Sequence, residues 1–418
     1  MSEKEPASAL APFRIRSFRF QWPADLTTSW AFEMETLILG WYVLTETRSV
    51  FMLTVFAALQ YIGTLFAPLF GVTGDRIGHR NLLCAMRSLY AATATALMVL
   101  AFAGALTPVL VLVIAGINGL VRPSDIGMRA ALVGETMPGA RLTAAMGIQR
   151  TTQDSARVAG ALSGAGLVEA LGIGPAYVVV TGLYATSIAL TLKAGGAHAQ
   201  HADGAAPRTR ASPWRDLREG FAYVWSAPHL LAAMCLAFLL NLTAFPQLVG
   251  LLPYVAKEIY ATDQTGLGYM LAGVACGALI GSLTMSRLGG VVRPARTLIV
   301  FSAAWYAMML GFAHTQHAAA GIPFLVLAGC SQSLSQVPMA AMLLRTSDAR
   351  LRGRVMGLRM LAIYGNIPGL LIAGPLIERL GYAVTASLYC AIGLVFTALI
   401  LARWRASLWR LDAPANMR

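Results

Sequence analysis

Charged residues are scarce in this chain. Asp, Glu, Lys and Arg together make up 12% of its 418 residues, whereas hydrophobic residues make up 57% and the mean hydropathy is +0.63. Apolar stretches of about twenty residues follow one another with short polar breaks, and a helix needs roughly 20 apolar residues to cross a hydrocarbon core of about 30 Å. These runs are too long and too evenly apolar for barrel strands. The composition therefore argues against a soluble domain and predicts a polytopic α-helical membrane protein.

Sequence signatures of ATP hydrolysis and of hydrolytic catalysis are also missing. The chain contains no GxxxxGK[ST] loop, no HExxH and no GxSxG. The N-terminus lacks the short apolar core and small-residue cleavage site of a secretory signal, so we expect the first apolar segment to be retained. Five cysteines lie in separate apolar runs, with no spacing typical of a metal or redox site: Cys84, Cys235, Cys276, Cys330 and Cys390. We therefore expect no cofactor, no metal and no enzymatic activity.

The apolar runs divide into twelve predicted membrane helices. Their approximate ranges are 24–44, 50–70, 84–104, 107–128, 147–170, 174–193, 229–256, 265–286, 296–315, 318–343, 355–377 and 382–402. An even number of membrane helices places both termini on the same side of the bilayer.

Basic residues indicate which side that is. In every second link between the predicted helices the only basic residues are Arg48, Lys257 and Arg379. The tails and the other links contain nearly all the remaining Arg and Lys outside the helices. Cytoplasmic loops carry such an excess, so both termini and the link at 71–83 are predicted to be cytoplasmic. The net charge of +13 is then a consequence of topology. We expect the lipid bilayer as a partner and no nucleic acid.

A polar stretch at 195–212 divides the chain near its midpoint and reads as a flexible linker. The segment 214–225 that follows is amphipathic, with Leu217, Phe221 and Trp225 on one stripe, which suits a helix on the cytoplasmic membrane surface. The predicted organisation is a cytoplasmic tail (1–22), a six-helix bundle (23–193), a cytoplasmic linker with an amphipathic helix (194–228), a second six-helix bundle (229–403) and a cytoplasmic tail (404–418).

Two short sequences recur half a chain apart. Residues 146–148 (MGI) match 356–358 (MGL), and residues 167–172 (LVEALG) match 376–381 (LIERLG), both at an offset of 209 to 210 residues. Each match lies on the fifth predicted helix of its half. Two parallel six-helix repeats joined by a cytoplasmic linker are typical of alternating-access transporters.

The segment after the second predicted helix reads Gly71-x-x-Gly74-Asp75-Arg76-x-Gly78-x-Arg80. It resembles the signature loop of the major facilitator superfamily, with His79 where that family more often has Arg or Lys. Residues 157–166 and 352–357 resemble the bacterial subgroup that includes macrolide and enterobactin exporters. The resemblance covers essentially the whole chain. It implies two pseudo-symmetric six-helix bundles, export of a small organic compound, function as a monomer and a bacterial inner-membrane location.

Glycines in this loop have a physical use. Gly71 and Gly74 lack a Cβ, so the second helix can end close to a neighbour, and Gly78 permits a tight reversal. The resemblance implies that Asp75 meets the N-terminal end of the eleventh helix near 351–353, where a carboxylate is favourable by roughly 0.3 to 1 kcal/mol when exposed. We expect this loop, including Arg76 and Arg80, to act as a cytoplasmic latch that breaks for inward opening.

Without an ATP site, coupling to an ion gradient remains, and protons require titratable groups inside the membrane. Glu33 and Glu35 lie about mid-membrane on the first predicted helix. Two residues apart on a helix, they point about 200° away from each other and cannot both face one narrow cavity. We expect one to bind the proton and the other to pair with an arginine on a neighbouring helix. The sequence leaves open which is which, and also leaves open two structurally paired glutamates.

Partners for these carboxylates lie on the fourth and fifth predicted helices. Arg122 and Asp125 flank Pro123, and Asp154 with Arg157 has the i, i+3 spacing at which opposite charges meet. Asp154 and Arg157 are therefore proton-coupling candidates, and Arg122 and Asp125 are charge-network candidates. Asp125 is also placed where it could pair with Arg76.

Polar but mostly uncharged side chains mark the second half. The candidates for substrate contact are the amides Asn241, Gln247, Gln332, Gln336 and Asn366. Such a wall suits an amphiphilic organic substrate, such as a drug, a macrolide-like compound or a siderophore, better than a small anion. Hydrogen bonding between helices is the alternative role for each amide.

The leading hypothesis is therefore a proton-coupled exporter. Proton-driven uptake uses the same fold and remains open, as does a membrane sensor or assembly protein that kept the fold without transporting. Neither the substrate nor the direction is fixed by the sequence.

Overall fold

The computed structural model describes residues 11–195, 213–288, 293–348 and 351–411. Across these four ranges the regular secondary structure is helical, and none of their residues forms a β-strand. The predicted all-α membrane fold is thereby confirmed. Parts of the predicted tails and linker (1–10, 196–212 and 412–418) lie outside the described residues.

The helices follow one another through short connections. The first part of the chain contains α1 (Arg16–Thr47), α2 (Val50–Leu59), α3 (Ala67–Ile77), α4 (His79–Phe102), α5 (Pro108–Thr136), α6 (Gly139–Leu171) and α7 (Ile173–Lys193). The second part contains α8 (Pro213–Ser226), α9 (Pro228–Thr243), α10 (Phe245–Val249), α11 (Leu252–Tyr254), α12 (Gln264–Leu288), α13 (Pro294–Ala313), α14 (Ala318–Thr346), α15 (Arg352–Leu361), α16 (Asn366–Leu380) and α17 (Tyr382–Leu411).

Each of the twelve predicted segments falls on one helix or on a run of consecutive helices. Within the described ranges, nine helical stretches are long and apolar enough to cross a membrane, and Val50–Phe66 is a shorter apolar stretch. α1 and α6 are longer than any membrane requires but carry charged residues along their length. Those charges explain why two helices of the first part are weaker hydropathy signals than their neighbours.

The segment 71–83 is more helical than its composition suggests. We expected a link between two helices there, but α3 continues to Ile77 and α4 begins at His79. Only Gly78 separates the two helices, and its φ of 88° lies in the region that favours glycine. At Gly78, where a tight reversal was expected, a single residue with positive φ thus separates the two helices.

Contacts divide the chain into two compact units. Unit 1 comprises residues 1–39 and 65–210, and unit 2 comprises residues 40–64 and 211–418. In unit 2, α12 crosses α14 at glycines, because a Cβ at Gly277 or Gly329 would collide with the backbone of the facing helix. Small residues that let backbones approach are typical of helix contacts in membranes.

In unit 1, α1 and α6 approach each other at two glycines of α6. A Cβ at Gly160 would lie 2.6 Å from the Cβ of Glu33 and 3.0 Å from the carbonyl oxygen of Trp30. A Cβ at Gly164 would lie 3.1 Å from the Cα of Met34. The close contact therefore fixes the position of Glu33 against α6.

Gly160→Ala is expected to destabilise unit 1 by about 1–3 kcal/mol, because the added methyl group forces α1 and α6 apart. The matched control is Gly166→Ala on the same helix, where no atom lies within 4 Å of an added Cβ. Alanine is favoured over glycine in a helix, so the control should be neutral or slightly stabilising. Melting temperatures in detergent micelles test this, and equal shifts for the two variants would contradict the account.

Candidate functional site

Glu35 of α1 is buried among polar groups from three other helices of unit 1, with 7% of its surface exposed. The Tyr184 hydroxyl of α7 donates to Oε2 at 2.9 Å, and the Asn118 amide of α5 donates to Oε1 at 3.4 Å. The Thr93 hydroxyl of α4 in turn donates to Oδ1 of Asn118 at 3.0 Å. Both of these hydrogen bonds to the carboxylate therefore come from neutral groups.

Arg122 lies on α5, one turn from Asn118. Its Nη2 donates to the Thr36 hydroxyl at 3.1 Å, and its guanidinium lies against the ring of Phe32. It also interacts electrostatically with Glu35. A guanidinium over an aromatic ring is attracted by the ring electrons, so this cation is held beside α1 by more than one contact.

Glu33 turns instead towards α6, as expected for residues two apart on a helix. Its Oε1 lies 3.5 Å from Nε of Arg157. Asp154 is fully buried on the same helix, 3.9 Å from Arg157 and 3.3 Å from Arg150. The structure therefore joins Glu33, Arg157 and Asp154 in one chain of charges and leaves Glu35 in a separate environment.

A third acidic residue of α1, which the sequence analysis did not single out, is the centre of a buried network. The carboxylate of Asp25 pairs with Arg87 of α4 and accepts a hydrogen bond from Gln149 of α6 at 3.0 Å. Arg129 of α5 lies 3.8 Å from Asp25 and pairs with Asp125. Asp25, Arg87 and Asp125 are each at most 3% exposed.

Contacts to neutral groups complete this network. Arg87 also donates to the Thr191 hydroxyl of α7, and Arg129 donates to the Ser29 hydroxyl at 2.7 Å. Burying so many charges is favourable only when they are paired and hydrogen bonded. The sequence signal was a charge near the end of each of three apolar segments, at a similar distance from the same face of the membrane.

Asp125 has a different partner from the one that the sequence suggested. We considered a pair with Arg76, but Asp125 pairs with Arg129, four residues further along α5. The i, i+4 spacing brings the two side chains together on one face of the helix. Arg76 is exposed on α3.

Residues of the predicted latch lie on α3, at Gly78 and on α4. A Cβ at Gly74 would approach the Met128 sulfur of α5 to 2.9 Å, whereas nothing lies within 4 Å at Gly71, so close approach is present only at Gly74. His79 Nδ1 lies 2.6 Å from Glu135 Oε1. Arg80 contacts the neighbouring Asn81 side chain. The Asp75 side chain lies outside the described part.

Three of the five amides of unit 2 bond to neighbouring helices or to their own. The Asn366 amide donates to Oδ1 of Asn241 at 3.0 Å, and both residues are buried. Gln247 is fully buried, donates to the Thr243 carbonyl at 2.9 Å and contacts the Cys390 sulfur. These bonds correspond to the alternative role of the amides, hydrogen bonding within the helix bundle.

The other two amides lie on α14 and are partly exposed. Gln336 accepts a hydrogen bond from Nη2 of Arg359 at 3.3 Å, and Gln332 lies one turn before it. The structure thus brings Asn241 together with Asn366, and Gln336 with Arg359, in two separate places.

Comparisons with known proteins give the family. The sequence profile of the family described as "Transmembrane secretion effector" matches residues 7–416, nearly the whole chain. No significant match was found among curated protein sequences.

Solved structures with the same fold include several transporters. The nucleoside transporter NupG is 14% identical, with 94% of this chain and 100% of that chain covered and a TM-score of 0.71. A POT family transporter in complex with 5-aminolevulinic acid is 12% identical (94% and 97% covered, TM-score 0.73). The human organic anion transporter MFSD10 is 16% identical (92% and 99% covered, TM-score 0.65). The chain belongs to the transmembrane secretion effector family of the major facilitator superfamily and is a multi-pass membrane transporter.

Proposed function

We propose that this transporter exports an organic compound in exchange for protons by alternating access, with Glu35 as the proton-binding group. The observation that carries the proposal is the position of Glu35, a carboxylate buried within unit 1 that accepts hydrogen bonds from two neutral groups, Tyr184 and Asn118. Carboxylates inside a membrane protein are costly and are functional suspects by default. The same proposal places the protein in a bacterial inner membrane as a monomer with both termini cytoplasmic.

Protonation would change the hydrogen-bond partners that Glu35 requires. As a carboxylate, Glu35 only accepts hydrogen bonds, whereas the protonated acid holds an O–H that must be accepted in turn. The titratable and charged groups that interact with it are Arg122 of α5 and Tyr184 and Tyr177 of α7. The ring of Tyr90 lies 5.6 Å from that of Tyr184. Neutralising Glu35 would leave Arg122 without its nearby negative charge, which biases the equilibrium between two conformations.

In this proposal Glu33 is the glutamate that pairs with an arginine on a neighbouring helix. Its pairing with Arg157 supports a structural or positioning function between α1 and α6. Asp154 belongs to the same group, because it contacts Arg157 and Arg150. In this proposal the charge chain of Glu33, Arg157 and Asp154 holds α1 in register while Glu35 carries the proton.

Support for export comes from the family, whose description is a secretion effector. For the substrate, the partly exposed Gln332 and Gln336, with Arg359 bonded to the latter, are the better candidates for contact. Asn241, Asn366 and Gln247 already bond within unit 2. An amide and guanidinium surface suits an uncharged or weakly acidic organic molecule with several oxygen acceptors, such as a macrolide-like compound or a siderophore.

The latch remains part of the proposal. In this proposal Asp75, near the end of α3, forms a cytoplasmic latch with Arg76, Gly78 and Arg80 and holds the cytoplasmic side closed. Release of the latch would permit inward opening. The latch and Glu35 would then bias the same two-state equilibrium from different positions.

The test uses proteoliposomes and a macrolide selected by comparing resistance of cells that lack and cells that overproduce the protein. An imposed pH gradient is expected to drive macrolide accumulation against its concentration gradient. In exchange for protons, the macrolide should accumulate on the side of the membrane that the protons leave. Liposomes with a proton ionophore provide the control. Equal accumulation with and without the gradient would exclude proton coupling, and accumulation on the side that protons enter would identify uptake instead of export.

A further inference from the structure

An apolar groove of about 1020 Å³ lies entirely within unit 2, between α8, α9, α15 and α17. Its walls include Phe221 and Trp225 of α8, Phe238 of α9, and Phe396 and Trp404 of α17. The volume is at the upper end of the roughly 300–1,000 Å³ that ligand pockets occupy. The groove is therefore large enough for an extended amphiphile.

Docking of α8 onto α15 leaves its aromatic side uncovered. The Arg354 guanidinium of α15 pairs with Glu219, and the Tyr223 hydroxyl accepts a hydrogen bond from the backbone N–H of Asp348 at 3.0 Å. Phe221 and Trp225 remain 54% and 65% exposed, with their rings stacked at 5.7 Å. The helix is thus held by one face while two large aromatic rings line the groove.

Two arginines are the only charged residues that line the groove, within the part of the chain that the structure describes. Arg218 precedes the aromatic pair on α8, and Arg403 follows the apolar residues of α17. Both are exposed, and neither forms an ion pair with a described carboxylate. The backbone of α17 leaves helical geometry at Trp404, with φ −118° and ψ 16°, and the Trp404 ring lies 5.7 Å from the Arg403 guanidinium.

We propose that this groove binds a phospholipid with an anionic headgroup, its acyl chains against the apolar walls and its phosphate at Arg218 and Arg403. Charge complementarity favours this occupant, because two positive groups border a surface that is otherwise apolar. Tryptophan and arginine together mark the interfacial level of a bilayer, where lipid phosphates lie. A free phosphate ion would leave the apolar walls exposed, and a zwitterionic headgroup would bring a cation towards the two arginines.

Tryptophan quenching by brominated lipids tests the proposal. Two sets of liposomes have the same mixture of phosphatidylglycerol and phosphatidylcholine, with bromine on the acyl chains of one lipid or of the other. The Trp225 signal is taken as the difference between the unmodified protein and the Trp225→Phe variant. We expect stronger quenching by brominated phosphatidylglycerol than by brominated phosphatidylcholine at equal amounts of label.

Removal of the charges should remove the preference. Arg218→Gln and Arg403→Gln are each expected to lower it about fivefold, the factor that corresponds to roughly 1 kcal/mol per basic side chain near an anionic surface. The matched control is Arg405→Gln, because Arg405 is exposed on the same helix but does not line the groove. Equal quenching by the two lipids would overturn the proposal. The proposal would also be overturned if the preference for phosphatidylglycerol survived when Arg218→Gln and Arg403→Gln are combined, or if it fell equally in the Arg405→Gln control.

Discussion

Asp25→Ala is expected to be among the most damaging single substitutions in unit 1. The change leaves Arg87 with its hydrogen bond to Thr191 but without a carboxylate, and it removes one of the two carboxylates near Arg129. Breaking a buried ion pair by removing one partner is destabilising by about 3–5 kcal/mol. We expect little folded protein after detergent extraction and a large fall in the melting temperature of what remains.

Two further variants make the Asp25 prediction specific. Glu46→Ala removes an exposed acid near the end of the same helix and should leave the melting temperature nearly unchanged. Asp25→Leu combined with Arg87→Met removes both members of the pair, so no buried charge is left uncompensated, and should recover part of the stability. If Asp25→Ala melts like the Glu46→Ala control, the buried network does not hold unit 1 together.

Glu35→Gln is expected to abolish the ability of a pH gradient to drive transport while leaving exchange of substrate across the membrane intact. Glutamine has nearly the same shape as glutamate and can still accept a hydrogen bond from Tyr184. Its amide does not bind and release a proton at the pH values of the experiment. We expect the accumulation ratio measured with the gradient to fall to the ratio measured without it, because a transporter that is not coupled to protons can only equilibrate its substrate across the membrane. Proteoliposome uptake with and without a gradient, together with counterflow, measures both quantities.

Glu33→Gln is the matched comparison on the neighbouring turn. Its partner Arg157 and Glu33 itself are both partly exposed, so the pair contributes far less than a buried one. We expect altered transport rates but a preserved response to the gradient. A normal response in Glu35→Gln, or loss of the response in Glu33→Gln alone, would reverse the assignment of the two glutamates.

The positions of the apolar helices were predictable because the length of an apolar run directly reflects the thickness of the bilayer. The conformation of single residues was harder to predict. Gly78 was foreseen as the reversal, yet the helical continuation of α3 through Gly71 and Gly74 was not, because two glycines and several charges suggested a link. In this chain those glycines are tolerated within a helix, and at Gly74 the absence of a Cβ admits Met128.

The candidate site was predictable only in part. Helical geometry separated Glu33 from Glu35, and an arginine partner was foreseen, but which glutamate meets Arg157 depends on the rotation of α1 against α6. The two helices approach closely at Gly160, where an added Cβ would lie 2.6 Å from the Cβ of Glu33. Asp25 and Arg87 are 62 residues apart, so no sequence spacing joins them. The amides of unit 2 could be recognised as polar groups in apolar helices, but pairing of Asn241 with Asn366 required the packing of α9 against α16.

The most direct test of the account is whether Glu35 itself takes up a proton. Infrared difference spectra of the purified protein in lipid, recorded between high and low pH, should show the C=O stretching band of a protonated carboxylic acid. We predict that the contribution of one carboxylic acid to this band is lost in Glu35→Gln and kept in Glu33→Gln. A band that persists unchanged in Glu35→Gln would contradict the central claim, because the proton would then be bound elsewhere.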